Sequence, residues 1–159
     1  MELTQNPSVL ELVQKTAELT TPKEIVWIDG SEAQLESLRK IAVETGELIK
    51  LNEEKLPGCY LNRSDVNDVA RVEDRTFICT TKKEDAGPTN NWMDPNEMKA
   101  KLHEILRCAM AGRTMYVIPY SMGVIGSPFA KYGIEVTDSI YVVLNMAIMT
   151  RIGTTVLDA

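Results

Sequence analysis

Short apolar runs of the kind found in buried strands alternate along this chain with segments of helical periodicity, and this alternation constrains the fold most strongly. The runs at Ile25–Ile28 and Thr114–Tyr120 are strand-like, whereas Asp94 and Pro95 begin a segment with apolar residues on one helical face. The composition is that of a globular protein, with 44% hydrophobic and 25% charged residues. We therefore expect a single α/β domain that spans residues 1–159.

Three helices are predicted from their start and stop signals. The first begins at the capping pair Asn6 and Pro7 and ends before Pro22. The second opens with a capping box at Ser31–Gln34 and ends at Gly46, and the third begins at the Asp-Pro pair described above. The inner face of the second helix is predicted to comprise Leu35, Leu38, Ile41 and Ala42.

The strand predictions concern burial and connection as well as position. The continuous apolar run Ile25–Ile28 predicts a strand buried on both faces. With the following helix and a strand at Leu48–Leu51 it predicts a right-handed βαβ unit. Within Thr114–Tyr120, Pro119 predicts an edge or strand-end position. The apolar segment Tyr141–Met149 fits a helix or a strand, and its pattern does not choose between them.

Charge and hydropathy exclude two classes of partner. The chain carries 17 basic and 23 acidic residues, a net charge of −6, whereas a dedicated nucleic-acid binder normally presents a basic face. No apolar run approaches the roughly 20 residues needed to span a bilayer. The first residues also lack the basic and apolar regions of a signal peptide. We expect neither a nucleic-acid nor a membrane partner.

The cysteines indicate a reducing compartment. Cys59, Cys79 and Cys108 are odd in number and no CxxC spacing occurs, which disfavours both a disulfide framework and a zinc site. We expect free thiols that are buried or half-buried, in a cytoplasmic protein.

Common catalytic motifs are missing from the sequence. His103, the one histidine, lies off the apolar face of its predicted helix, and no GxSxG elbow occurs, which argues against Ser- or Cys-based hydrolysis. The zinc motif HExxH, the calcium loop and the phosphate-binding GxxxxGK[ST] are also missing. Gly123 and Gly126 would let backbone N–H groups approach an anion, but a tight turn is the better interpretation.

Three arginines are candidates for binding a small anion. Arg71, Arg113 and Arg151 each lie close to an apolar run, and a planar guanidinium binds a carboxylate or phosphate through two parallel hydrogen bonds. Spacing alone does not choose between them, and for each a salt bridge is the default interpretation.

Four long phrases carry a family resemblance. DVARVEDRT (Asp68–Thr76), GRTMYVIPYSMGVIGSP (Gly112–Pro128) and GIEVTDSIYVVLNMAIMTRIGT (Gly133–Thr154) resemble the amino-terminal domain of GTP-dependent phosphoenolpyruvate carboxykinases. TKKEDAGPTNNW (Thr81–Trp92), which contains the clearest predicted loop, Lys82–Trp92, is similar to the bacterial branch of that family. The resemblance implies a mixed sheet flanked by helices.

The resemblance also implies an activity. Enzymes of this family interconvert oxaloacetate and GTP with phosphoenolpyruvate, CO₂ and GDP in gluconeogenesis, using Mn²⁺ at the active site and Mg²⁺ with the nucleotide. By resemblance, Arg71 binds the substrate carboxylate. The family's kinase P-loop, metal-binding set, guanine pocket and lid have no counterpart here. We therefore expect no catalytic residue, cofactor or metal on this chain, and no activity from it alone.

Partners follow from the same expectation. Oxaloacetate or phosphoenolpyruvate would bind weakly or not at all, and a carboxy-terminal nucleotide- and metal-binding domain is the expected missing partner. The apolar region Tyr141–Leu157 predicts self-association through exposed surface. Two alternatives remain: a stand-alone anion-binding or regulatory module, and a scaffold without ligand in which Arg71 pairs with Glu73 or Asp74.

Overall fold

The computed structural model describes residues 2–66 and 72–159. The chain forms two compact units, one comprising Met1–Arg63 with Met110–Ala159 and the other Ser64–Ala109. The helices are α1 (Pro7–Thr20), α2 (Glu32–Glu44), α3 (Pro95–Leu106), α4 (Ile140–Met149) and α5 (Thr154–Leu157). The strands are β1 (Glu24–Trp27), β2 (Ile49–Lys50), β3 (Tyr60–Leu61), β4 (Phe77–Ile78), β5 (Asn91–Trp92), β6 (Thr114–Met122), β7 (Lys131–Thr137) and β8 (Arg151–Ile152). A single domain over 1–159 stays a prediction.

The main sheet of the first unit is mixed, which confirms the predicted fold class. Strand β6 lies at its centre, with β1 parallel to it on one side and β7 antiparallel on the other. Strand β8 pairs with β6 at Tyr120 and Ser121, further along than the last β1 pair at Val117. The two short strands β1 and β8 thus share one long side of β6.

Pro119 lies inside this central strand, so its predicted edge position is wrong. The Pro119 carbonyl accepts a hydrogen bond from the Gly153 N–H at 2.9 Å. Because the nitrogen and carbonyl of a strand residue face the same side, the proline nitrogen faces the gap between β1 and β8. No ladder donor is needed there, which is why a proline is tolerated in a central strand.

The predicted βαβ unit is also wrong. Strand β2 pairs antiparallel with β3 in a separate two-stranded sheet, while the parallel neighbour of β1 is the distant β6. Strand β1 is therefore an edge strand of its sheet. Ile25 is 40% exposed, whereas Trp27 and Ile28 are buried. The prediction of a strand buried on both faces holds only for its last residues.

The helix starts agree with the capping signals. The Asn6 side chain accepts a hydrogen bond from the Ser8 N–H at 3.0 Å, and that of Asp94 accepts one from the Asn96 N–H at 2.8 Å. The ambiguous segment Tyr141–Met149 is helical, within α4. Its cap includes the Glu47 carboxylate, which accepts a hydrogen bond from the Tyr141 N–H at 2.8 Å.

The second helix departs from its predicted capping box. Ser31 accepts from the Gln34 N–H at 3.2 Å, as expected. The Gln34 amide, however, accepts from the Asp29 N–H at 2.8 Å and donates to the Trp27 carbonyl at 2.9 Å. Gln34 therefore joins the helix to the end of β1. Ile41 is exposed, contrary to its predicted inward position.

The core of the first unit lies on both faces of β6, because successive side chains of a strand point to opposite faces. Tyr116 and Ile118 pack with residues of α2 and α4, whereas Met115 and Val117 pack with Val13 of α1. Burial raises the pKa of Tyr116, and the Glu47 and Glu24 carboxylates raise it further. A hydroxyl with a raised pKa stays neutral, which suits its place in this core.

Two glycines allow the chain to cross itself beside β6. The Thr154 N–H donates to the Asp29 carbonyl at 3.1 Å, just after Gly153. Gly153 has φ of +96°, and a Cβ placed on it would lie 2.1 Å from that same carbonyl oxygen. A Cβ placed on Gly30 would likewise lie 2.6 Å from the Ile152 carbonyl oxygen. Only residues without a Cβ fit this approach of two backbones.

We predict that Gly153→Ala destabilises the chain by at least about 3 kcal/mol, because it adds a backbone clash to the strain of a positive φ. Urea denaturation followed by circular dichroism measures the loss. Gly46→Ala is the matched control, since Gly46 also has a positive φ, +81°, but has no atom near the added Cβ. It should cost about 1 to 2 kcal/mol. Equal losses in the two variants would contradict the crossing.

Candidate functional site

Arg71, the residue with an expected binding role, lies outside the described residues. The next described residue is Val72, and the 3₁₀ turn Glu73–Arg75 and strand β4 follow it. The candidate site is therefore built from the residues that hold this turn, all of which belong to the second unit.

The predicted loop Lys82–Trp92 is more ordered than its composition suggests. It contains a 3₁₀ turn at Lys83–Ala86 and ends in β5, which pairs parallel with β4. Asn91 is opposite Phe77 in this pair, and Trp92 is opposite Ile78. The end of the loop is thereby placed beside the segment that follows Arg71.

Asn91 holds both ends of the 3₁₀ turn after Arg71. Its Nδ2 donates to the Glu73 carbonyl at 2.7 Å and lies 3.3 Å from the Thr76 carbonyl, a second acceptor. The Thr76 hydroxyl donates back to the Val72 carbonyl at 2.6 Å. These side chains supply hydrogen bonds that the short strands cannot.

Trp92 fixes the other end of the same segment. Its indole Nε1 donates to the Thr80 carbonyl at 3.0 Å, and the Met93 N–H donates to the Ile78 carbonyl at 3.3 Å. Sequence patterns alone predict no role for Asn91 or Trp92. The available signal was the asparagine pair in a loop, because asparagine side chains often hydrogen-bond nearby backbone.

The other two candidate arginines differ in their surroundings. Arg113 forms a salt bridge with Asp138 at 2.8 Å, which confirms the default interpretation for this residue. Arg151 is exposed at the start of β8. Neither lies in the second unit with the turn that follows Arg71.

Each unit has a concave surface large enough for a small anion. In the second unit, a depression of about 760 Å³ is lined by Glu73, Asp74, Thr76, Thr89, Asn90 and Asn91. Among the described residues, its lining has two carboxylates and no basic side chain, so that part of the lining does not favour a dicarboxylate. In the first unit, a cavity of about 650 Å³ contains Arg39, but Glu32 and Glu36 bind its guanidinium.

The glycine loop between β6 and β7 is a turn rather than an anion cradle, as predicted. Gly123 and Gly126 both have positive φ. The Gly126 N–H donates to the Tyr132 hydroxyl at 2.9 Å, and the Ser127 N–H donates to the Val124 carbonyl at 3.0 Å. These donors are thus engaged within the hairpin.

The cysteines, the histidine and the acidic residues were the other candidates for a chemical role. Cys59, Cys79 and Cys108 are free and exposed, so their predicted burial is wrong; each follows a turn or strand end rather than a core element. His103 is exposed, as predicted. Across residues 2–66 and 72–159, no three His, Cys, Asp or Glu residues are grouped as metal ligands. That this chain binds no metal stays a prediction.

None of the helices within residues 2–66 and 72–159 has the length and apolar character to cross a membrane.

Comparison with known proteins gives a family match. A family model described as "Phosphoenolpyruvate carboxykinase N-terminal domain" matches residues 11–159. The matched region includes the segments around Arg71 and Asn91, and it also includes most of the first sixty residues, where the quoted phrases gave no support.

Curated relatives agree with this match. Proteins named "Phosphoenolpyruvate carboxykinase [GTP]" from Neocallimastix frontalis and Anaeromyxobacter dehalogenans (strain 2CP-C) are each 54% identical, over 96% and 98% of this chain. One of the same name from Corynebacterium glutamicum (strain R) is 51% identical over 98% of the chain. The chain covers 25% or 26% of these relatives, so it spans about a quarter of their length.

Proposed function

Because the chain belongs to the phosphoenolpyruvate carboxykinase N-terminal domain family, we propose that it forms the substrate-binding part of a GTP-dependent phosphoenolpyruvate carboxykinase. The observation that carries this proposal is the 54% identity with proteins of that name along almost the whole chain. Identity at this level, spread over the matched length, supports a shared activity more strongly than a short motif would.

The proposed reaction converts oxaloacetate and GTP to phosphoenolpyruvate, CO₂ and GDP. The bond to one carboxyl group of oxaloacetate breaks and releases CO₂, and the electron pair forms an enolate. The enolate oxygen then takes the γ-phosphoryl group of GTP. The other carboxylate persists through the reaction, so a group that binds it can hold substrate, intermediate and product in one orientation.

Arg71 is the proposed ligand of that persistent carboxylate. A guanidinium forms two parallel hydrogen bonds with a carboxylate, which fix direction as well as charge. Among the three candidate arginines, Arg71 is supported by its place in the phrase DVARVEDRT, and Arg113 is engaged by Asp138.

Phosphoryl transfer itself needs nucleotide- and metal-binding groups, which the described residues do not bring together. The sequence has no GxxxxGK[ST] motif, and the described residues bring together no set of three metal-binding side chains. Mn²⁺, Mg²⁺ and GTP therefore do not fit the described part of this chain. In the proposed enzyme they would be bound by the part of the relatives that this chain does not span.

We predict that Arg71→Ala raises the KM for oxaloacetate by about tenfold to a hundredfold, since a charge-assisted bidentate contact contributes about 1.5 to 3 kcal/mol. The assay uses a full-length enzyme that carries this sequence as its amino-terminal domain. Arg107→Ala is the control, because Arg107 is an exposed arginine of the same unit. An unchanged KM in Arg71→Ala would reject the role and favour the scaffold, in which Arg71 pairs with an acid.

We predict that the 159-residue chain alone has no carboxykinase activity with oxaloacetate, GTP, Mn²⁺ and Mg²⁺, because its sequence has no GxxxxGK[ST] motif and its described residues group no metal ligands for phosphoryl transfer. The coupled detection of phosphoenolpyruvate measures this. The full-length enzyme is the positive control under the same conditions. Turnover by the isolated chain would refute the division of roles proposed here.

We predict that the chain self-associates through the region Tyr141–Leu157. Ile148 and Met149 at the end of α4 are 82% and 65% exposed, and exposed apolar groups that lie together promote association. Sedimentation velocity should show dimers or larger species that Ile148→Glu reduces. Ile105→Glu is the control, since Ile105 is 72% exposed but lies on α3. A strictly monomeric chain would contradict the prediction.

A further inference from the structure

We propose that Asn91 is a positioning residue for oxaloacetate binding, acting through the turn that follows Arg71. This inference rests on the proposed function, because it assumes that Arg71 binds the substrate. It adds a residue from the loop before α3, which neither the arginine motif nor the family name identifies.

The contacts of Asn91 are specific to that turn. Its Nδ2 donates to the Glu73 carbonyl at 2.7 Å and lies 3.3 Å from that of Thr76, so one amide group joins the beginning of the turn to the residue after it. Glu73 is two residues beyond Arg71 in the sequence. Fixing the Glu73 carbonyl therefore fixes the backbone directly after the arginine.

The chemistry of the amide group explains why asparagine is suited to this position. An amide nitrogen carries two hydrogens and can donate to two acceptors, and both neighbours here are carbonyl oxygens. The nitrogen rather than the oxygen must face them. A carboxylate at the same position would be repelled by both carbonyl dipoles, and a methyl group would leave both carbonyls without this donor.

The position of Asn91 is itself constrained by neighbouring contacts. It belongs to β5 and is opposite Phe77 of β4, so its backbone is held by the strand pair. The following residue, Trp92, is tied to the Thr80 carbonyl at 3.0 Å. Asn91 is thus held by the β4–β5 pair, which begins directly after Thr76, in addition to its own bonds with the turn.

The chain contains a matched control for this contact. Asn90 is the same residue type, is adjacent and is also exposed, but its Nδ2 donates to the Ala86 carbonyl at 2.7 Å. Ala86 ends the 3₁₀ turn Lys83–Ala86 and is remote in sequence from Arg71. Removing the Asn90 amide therefore removes a comparable hydrogen bond without touching the turn after the arginine.

The test compares Asn91→Ala, Asn91→Asp and Asn90→Ala in a full-length enzyme that carries this domain. Asn91→Ala should raise the KM for oxaloacetate by about threefold to tenfold, the effect of losing one net hydrogen bond, and Asn91→Asp should raise it further. The KM for GTP should stay unchanged, and the melting temperature should fall about as far as in Asn90→Ala, which loses a comparable hydrogen bond. Asn90→Ala should leave the KM for oxaloacetate within about twofold of the parent.

A double-mutant cycle with Arg71→Ala separates positioning from a general structural role. If Asn91 acts through Arg71, Asn91→Ala should change the KM by less than about twofold once the arginine is removed. An equal effect in both backgrounds would overturn the inference, as would a parallel rise in the KM for GTP.

The cycle also distinguishes this inference from the proposed function. If Arg71→Ala raises the KM for oxaloacetate and Asn91→Ala does not, the positioning role is wrong and the proposed function stands. If Arg71→Ala has no effect, the substrate role of Arg71 is wrong, and the inference is rejected with it.

Discussion

The burial of β6 is the constraint on which the first unit depends. This strand pairs with β1, β7 and β8, and its alternate side chains enter the two apolar clusters on opposite faces of the sheet. Its backbone donors and acceptors must be satisfied by other strands, because water does not reach them. The crossing at Gly153 follows from this need, since it brings β8 to the part of β6 that β1 does not reach.

The second unit is stabilised in a different way. Among its described residues, Ala86 is the one buried apolar residue, and its strands β4 and β5 are two residues long. Its order instead comes from side chains bound to backbone carbonyls, such as Asn91 to Glu73 and Trp92 to Thr80. Such bonds fix direction well, but each contributes only about 0.5 to 1.5 kcal/mol of net stability.

Local signals in the sequence were sufficient for local structure. The caps at Asn6 and Asp94 predicted two helix starts, because capping depends on residues a few positions apart. Strand partners could not be predicted in this way. The pairing of β1 with β6 joins residues far apart in sequence, and the position of Pro119 between two short strands depends on that pairing.

The site shows the same limit. Composition and spacing left three arginines as equal candidates, and the choice of Arg71 came from the family resemblance rather than from physical reasoning. The link between Asn91 and Glu73 spans 18 positions and has no periodic pattern, so the loop prediction could not contain it. The exposure of the three cysteines was also missed, since a thiol is compatible with burial or exposure and its neighbours decide.

The contrast between the two units bears on how a substrate arginine would work here. A bidentate contact with a carboxylate depends on orientation, yet the described residues after Arg71 belong to the unit with little buried apolar surface. Regions with few apolar contacts open locally at low cost in free energy. The turn Glu73–Arg75 is therefore held by directional hydrogen bonds more than by packing.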